Sequence, residues 1–556
     1  MSNPIDRVLA DLPSRYAGAG GAVAVLREGA VLERDAWGWA DLSRRVPFTD
    51  QTLFRICSIT KQFTCATLLD RFPDPSVLDD DIRRLVPALE QPAPRALHLV
   101  HNQSGFRDYW AMAMLCGAPV EGRFIDADAR RLVAATRTLQ FAPGTRYSYC
   151  NQNFRMLGDI LSERAGRSFA ELLESGIFAR AGMATARLGA DTASMPDGTI
   201  GYEGDPACGL RPAVNNIHWT GDAGAIASLD DMIAWERFVD ASRDDADSLY
   251  GRMSAATRFA DGEVAAYGFG LSRMILLGEA IVGHGGGLRG WRSFRFYAPA
   301  TRTSVVVLFN HMADARDAAC ELFAALLGIA PPGASAMPEE RWNGVFEEPE
   351  TGLVARLDVA SDRRVRLRYG QSPELLSLEA DDVAASRTVR LAHTVEGVEM
   401  ARATDHQTTR LAPLLPVAEP ARDIAGVYRS DELEADFVCV ASGGALSGAF
   451  SGWLGEGMLT DLVPVARDVW LLPCPRALDY AAPGDWTLRF SRDAGGAVTG
   501  VEIGCWLARR VAFRRVLGQQ SKYAGRCPDP PGAKPLDLRC EGSSRKGAYS
   551  EVATSE

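Results

Sequence analysis

A mixed α/β domain followed by two all-β modules is the fold class that three observations in this 556-residue chain predict. The length exceeds what one hydrophobic core fills. The texture changes at Pro331-Pro332-Gly333-Ala334-Ser335, from interleaved strand-like and helix-like patterns to short β-like runs separated by Gly, Asp and Pro. Within that second part, Gly344-Val345-Phe346 recurs 82 residues later as Gly426-Val427-Tyr428, each followed by an acidic stretch and apolar runs. Two modules of this size suit small antiparallel β-barrels. The expected boundaries are 1–330 for the α/β domain, 331–415 and 416–520 for the barrels, and 521–556 for a disordered tail rich in Gly, Pro, Ser and charge.

The elements follow in order. Gly21-Ala22-Val23-Ala24-Val25-Leu26 is an apolar run ending near Glu28-Gly29 and reads as a strand and turn. Behind Ser58, the residues Phe63, Cys65, Ala66, Leu68, Leu69 and Phe72 recur at helical spacing. Met156, Leu157, Ile160 and Leu161 do the same before a stop near Gly166. Ser228 is a predicted N-cap for a helix carrying Met232, Ile233, Trp235, Phe238 and Val239. Ser293 to Tyr297 and Ser304 to Phe309 flank Pro299-Ala300-Thr301-Arg302-Thr303 and read as a hairpin of buried strands.

Composition narrows the function. A net charge of −11 without a basic stripe argues against a nucleic-acid or anionic-membrane partner. The start has no apolar leader-like run, and no stretch reaches the roughly 18 apolar residues that span a bilayer, so a cytoplasmic location is expected. Eleven cysteines, an odd number without regular spacing, suit reduced thiols. No His-Glu-x-x-His and no Cys-x-x-Cys occurs, so neither a metal nor another cofactor is expected.

The basic residues carry the sharpest signal. Of 60 Lys and Arg, only four are lysine, and Lys61 is the sole one before residue 522. Arginine stays charged at any accessible pH, whereas a buried lysine can surrender its proton and act as a base. Lys61 stands three residues after Ser58 in Ser58-Ile59-Thr60-Lys61, so a helix presents both on one face. A serine hydroxyl needs such a base before it attacks a carbonyl. Ser543-Ser544-Arg545-Lys546 has the same pattern in the polar tail, so the spacing alone is weak. Two further segments carry chemistry. Tyr149 and Asn151 in Tyr147-Ser148-Tyr149-Cys150-Asn151 offer a phenol beside an amide, although a core tyrosine and a capping asparagine would read alike. Val282-Gly283-His284-Gly285-Gly286-Gly287 suggests close approach to a strand, with a histidine beside it, and equally suits a plain turn.

Ser-x-x-Lys, then Tyr-x-Asn, then His-Gly-Gly, in that order, resembles the penicillin-recognising serine hydrolases. These include class C β-lactamases, D-alanyl-D-alanine peptidases, esterases and D-aminopeptidases. Gly38-Trp39-Ala40-Asp41 and Gly224-Ala225-Ile226-Ala227-Ser228 also look like family positions. The resemblance implies an α/β sandwich, an antiparallel sheet flanked by helices, for residues 1–330. It further implies Ser58 as nucleophile, Lys61 and Tyr149 sharing acid and base work, Asn151 orienting them, and an oxyanion hole from the N–H groups of Ser58 and Gly287. Two positions depart from it. His101-Asn102-Gln103-Ser104-Gly105 stands where many relatives read His-Thr-Ser-Gly, and His284 replaces the usual lysine. A histidine weakens the case for gripping a substrate's terminal carboxylate.

With its two β modules, the whole chain is similar to the D-aminopeptidases, the D-stereospecific aminopeptidases of this superfamily. In that family a loop of the last barrel enters the site and restricts it to small N-terminal residues. The matching loop is 475–485, where Asp479 is a candidate anion for a free α-ammonium, although an exposed barrel turn would read alike. The resemblance thus implies a serine peptidase that removes N-terminal D-residues (D-alanine, other small residues, glycine) from peptides, amides and esters through an acyl-enzyme. Its partners are substrates with a free N-terminal amine, and a homodimer is compatible with the sequence. The rival readings are an esterase or β-lactamase of the same superfamily and, with less support, a non-catalytic ligand-binding protein.

Overall fold

The structure, a computed structural model, describes residues 4–329, 337–415, 421–479 and 484–517. The expected tail and residues 480–483 of the expected loop lie outside these.

The first domain is built on one eight-stranded antiparallel sheet. Its strands are β1 (Gly20–Arg27), β2 (Ala30–Asp41), β3 (Val46–Pro47), β4 (Tyr267–Gly268), β5 (Leu271–Leu276), β6 (Glu279–Leu288), β7 (Trp291–Ala298) and β8 (Thr303–Phe309). They lie in the order β4-β5-β6-β7-β8-β1-β2-β3, so strands from both ends of the domain meet at the β8–β1 pair. The two-residue side-chain period of a strand decides the layers. Val23 and Val25 of β1, with Val305, Val307 and Phe309 of β8, pack on α1 (Pro4–Arg15) and a helix at Ala315–Leu327. Ala22, Ala24, Leu26, Val306 and Leu308 face the opposite core, with the larger set of helices. That set includes α2 (Thr60–Arg71), α3 (Tyr109–Leu115), α4 (Asn151–Ala165) and α5 (Leu229–Ala241). Ser228 caps α5 by accepting from Asp231 N–H, and Gly166 ends α4 at φ +61°, a left-handed conformation that glycine adopts without a Cβ penalty.

The second module, from Gly344–Glu348 to Gln407–Pro413, is a closed eight-stranded barrel. The third, expected as an antiparallel β-barrel, is a curled half-barrel. Its strands, beginning with Gly426–Ser430 and ending with Ala508–Val516, form a curled ten-stranded sheet whose path stays open. The terminal strands explain this: Gly455–Glu456 has two residues, and Val463–Ala466 carries Pro464, which donates no ladder bond. Neighbouring modules cover the ends instead. Leu454 N–H donates to Cys116 O at 3.2 Å on the first domain, and Gly117 approaches so closely that a Cβ there would sit 2.3 Å from Gly455 O. Near the other end, Val469 and Leu471 pack on Val354 of the barrel. No helix among the described residues is long and apolar enough to cross a membrane.

Candidate active site

Ser58 lies in a single 3₁₀ turn, Cys57–Ile59, immediately before α2. Three features fix this turn against β6 and β7. Ser293 Oγ donates to Ile56 O at 3.1 Å. Cys57 holds a left-handed φ of +51°, a conformation that costs about 1–3 kcal/mol in a non-glycine residue. Gly286 makes room, since a Cβ there would lie 2.2 Å from Ile56 O. The expectation that the Gly-rich strand marks a close approach therefore has a specific cause.

Lys61 is completely buried and its Nζ donates in three directions: to Ser58 Oγ at 3.0 Å, Asn151 Oδ1 at 2.8 Å and Asp222 O at 2.7 Å. Burial pushes its pKa down to about 8, against the opposing pull of Asp222, Asp108 and Asp479. Tyr149 lies beside it, with Lys61 Nζ 4.9 Å from the ring centroid. Burial raises the Tyr149 phenol well above its usual range, and a hydrogen bond with Ser58 partly offsets that. Before any substrate binds, a fraction of the lysine is therefore unprotonated near neutral pH, while the phenol is protonated. Asn102 holds the Tyr149 segment from both sides, accepting from Ser148 N–H on its backbone oxygen (3.0 Å) and from Cys150 N–H on Oδ1 (3.3 Å).

His284 is buried and neutral, its pKa pushed down to about 3 chiefly by desolvation and also by Lys61. Its Nδ1 donates to Gly285 O at 2.5 Å, which leaves Nε2 to accept from Tyr267 O–H at 3.2 Å. It supplies no fixed positive charge. Beyond Gly283 the β5–β6 ladder stops, while β6 stays paired to β7 through Leu288. Gly285, Gly286 and Gly287 line a cavity of about 470 Å³ with Ser58, Tyr149, Asn151 and His284.

Asp479 of the third module lines the same cavity, as do Trp506 and the barrel residues Gln371, Thr388 and Thr404. Arg289, one residue beyond β6, anchors the Asp479 segment. Its N–H donates to Asp479 O at 2.9 Å, and its guanidinium reaches Ala477 O (3.2 Å), Val120 O (2.6 Å) and Val214 O. Arg476 adds ion pairs to Glu121 (3.0 Å) and Glu203 (2.9 Å) of the first domain.

Ser58, Tyr149, Asn151, His284, Gly287 and Asp479 therefore line one cavity, with Lys61 buried behind Ser58. Sequence reasoning missed Asp222, whose carboxylate accepts from Tyr109 O–H at 2.5 Å and whose backbone oxygen holds Lys61. It also missed Asp108 and Arg289. None stands in a recognisable spacing to Ser58, and only the fold brings them there. A larger cavity of about 660 Å³, lined by Arg289, Arg292, Arg356 and Arg368, lies at the junction of the three modules and shares Arg292 and Gln371 with the first.

The family model described as Beta-lactamase matches residues 5–328, and that described as D-aminopeptidase, domain B, matches residues 335–514. The chain is similar to the D-aminopeptidase of Gluconobacter oxydans (strain 621H), 53% identical over 523 residues, covering 93% of this chain and 99% of that protein. It is 47% identical over 506 residues to the D-aminopeptidase of Brucella canis (strain ATCC 23365 / NCTC 10854 / RM-666), covering 91% and 97%. Among solved structures it is similar to the octameric penicillin-binding protein homologue from Pyrococcus abyssi. That match has a TM-score of 0.50 at 18% identity, covers 80% of this chain and 97% of that chain, and speaks to the fold alone.

Proposed function

The chain belongs to the D-aminopeptidase family, and on that premise we propose that it is a serine peptidase releasing small N-terminal D-residues from peptides, amides and esters. The observation that carries this is a fully buried lysine within 3.0 Å of Ser58 Oγ, beside a cavity that Asp479 also lines.

Neutral Lys61 takes the Ser58 proton as Oγ attacks the carbonyl of the first residue. The charge that develops on the carbonyl oxygen meets the N–H groups of Ser58 and Gly287. Tyr149 then protonates the departing amine, the C–N bond breaks, and an ester to Ser58 remains. Lys61 passes its proton to Tyr149, water attacks the ester and loses a proton to the Tyr149–Lys61 pair, the acyl bond to Ser58 Oγ breaks, Oγ takes that proton back, and the acid leaves. Asn151 keeps the lysine aimed. Asp479 receives the substrate ammonium, which favours a free N-terminus over an acylated one. Because acylation needs unprotonated Lys61, present at about a tenth of molecules at pH 7, its rate rises with pH up to about 8.

The test compares D-alanine anilide, L-alanine anilide, a simple ester and a chromogenic cephalosporin. We expect the D-anilide to be turned over at least about 100-fold faster than its L-enantiomer. Cephalosporin turnover without amide turnover would overturn the assignment.

A further inference from the structure

We propose that Asp108 is a positioning residue of this catalytic machinery: its carboxylate dictates which end of the Asn151 amide meets Lys61, and the third module holds Asp108 in place. This rests on the reading of Ser58 and Lys61 as nucleophile and base.

Asp108 is completely buried between α3 and α4. Its Oδ2 accepts from both Asn151 N–H (2.5 Å) and Asn151 Nδ2 (3.0 Å), and its Oδ1 accepts from Trp110 N–H (3.0 Å). An ionised carboxylate accepts hydrogen bonds and donates none. The Asn151 side chain must therefore turn its NH₂ toward Asp108, which leaves Oδ1 facing Lys61 Nζ at 2.8 Å. The reverse orientation would set amide donors against an ammonium and leave a buried carboxylate facing an oxygen. A group at 108 able to donate, whether a protonated acid or an amide, loses this selection.

The lock extends across the modules. Asp108 N–H donates to Leu507 O at 2.9 Å, in the turn between strands Val498–Cys505 and Ala508–Val516 of the third module. Next to it, Arg107 Nε donates to Arg509 O at 2.8 Å. The third module therefore supports the base from behind, independently of the Asp479 segment.

Asp108 also acts on Lys61 through its charge. Asp222, Asp108, Asp479 and Cys57 favour the protonated lysine, while Tyr149, Cys65, Cys150 and His284 surround it in neutral form. Burial raises the Asp108 carboxyl to about 6, with the bonds from Asn151 and Trp110 and the Lys61 charge opposing.

The experiment follows the rate at which an uncharged fluorophosphonate labels Ser58 as pH varies, in the full chain and in Asp108→Asn and Asp108→Ser. Both substitutions keep a side chain able to cap α3 through Trp110 N–H. For the unsubstituted protein we expect about a tenfold fall per pH unit below about 8, steepening to about a hundredfold per unit below about 6 as a second proton binds. The variants should label about 10- to 100-fold more slowly at pH 7 and keep the shallower slope throughout. Their upper inflection should move to lower pH, because the charge favouring protonated Lys61 is gone. A variant that slows while its inflection and two-proton slope stay put would overturn the proposal. If neither variant folds by near-UV circular dichroism, a single shallow slope in the unsubstituted protein down to about pH 5 would do the same. Labelling of Lys61→Arg at the unsubstituted rate would instead remove the reading on which the proposal rests, and the proposal with it.

Discussion

The two β modules begin with the same short motif, Gly344-Val345-Phe346 and Gly426-Val427-Tyr428, which open the first strand of each, yet they close differently and serve the cavity differently. The barrel satisfies its strand edges internally and contributes rim residues, Gln371, Thr388 and Thr404, to the cavity wall. The third module leaves its sheet open, rests its ends on neighbours, and sends two connections into the first domain: the Asp479 segment to the cavity and the Leu507 turn to Asp108. A closed barrel stands without neighbours, whereas an open sheet depends on them. That dependence makes the third module part of the site.

Substitutions on either side should expose this contrast, with Lys61→Arg as the reference for complete loss. We expect more than about 10³-fold less burst acylation on D-alanine anilide from Lys61→Arg, with an unchanged far-UV spectrum. In the third module, Asp479→Asn should lower kcat/KM for the same substrate about 10- to 100-fold, while an N-acetylated ester changes within about twofold. Equal losses on both substrates would mean that Asp479 does not read the ammonium. Arg289→Met, which frees the Asp479 segment at Ala477 O, should raise KM about tenfold on the anilide and leave kcat nearly unchanged. In the barrel, Thr404→Val should alter kcat/KM by no more than about twofold. A change there as large as that of Asp479→Asn would erase the distinction.

The barrel's own weak point is pH-dependent stability. Glu348 is buried, and Thr351 N–H and Oγ1 both donate to its Oε2, with the hydroxyl at 2.5 Å. Burial alone would raise its pKa, and these bonds hold it below the usual carboxylate range. A depressed carboxyl stabilises the fold above its unfolded value of about 4.3 and loses that contribution as pH falls through the lower folded value. Glu348→Gln should therefore cost about 1–3 kcal/mol at pH 7 and show a weaker acid dependence in urea titrations.

The sequence makes some of this legible and conceals the rest for definable reasons. Ser58 and Lys61 are near neighbours in the chain, and the bias against lysine isolates the second of them. Tyr149 and Asn151 stand close together, and the glycine run of β6 suggests a close approach, which the structure shows at Gly286 against Ile56 O. By contrast, Asp222 reaches Lys61 across 161 positions and Leu507 lies even farther from Asp108. Each uses a backbone oxygen, which leaves no mark on residue type. That the second of the two expected barrels stays open is hidden in the sequence for a similar reason. Closure depends on whether terminal strands are long enough to pair, and Gly455–Glu456 looks in the sequence like any other short run.

The burial of Lys61 also gives the protein a built-in reporter of unfolding. An endoproteinase that cuts after lysine has no target before residue 522 other than one sealed at 0% exposure inside the first domain. Cleavage at residue 61 must therefore wait for that region to open, and with protease in excess, so that cutting outpaces reclosing, the release of a 61-residue fragment would report the opening rate.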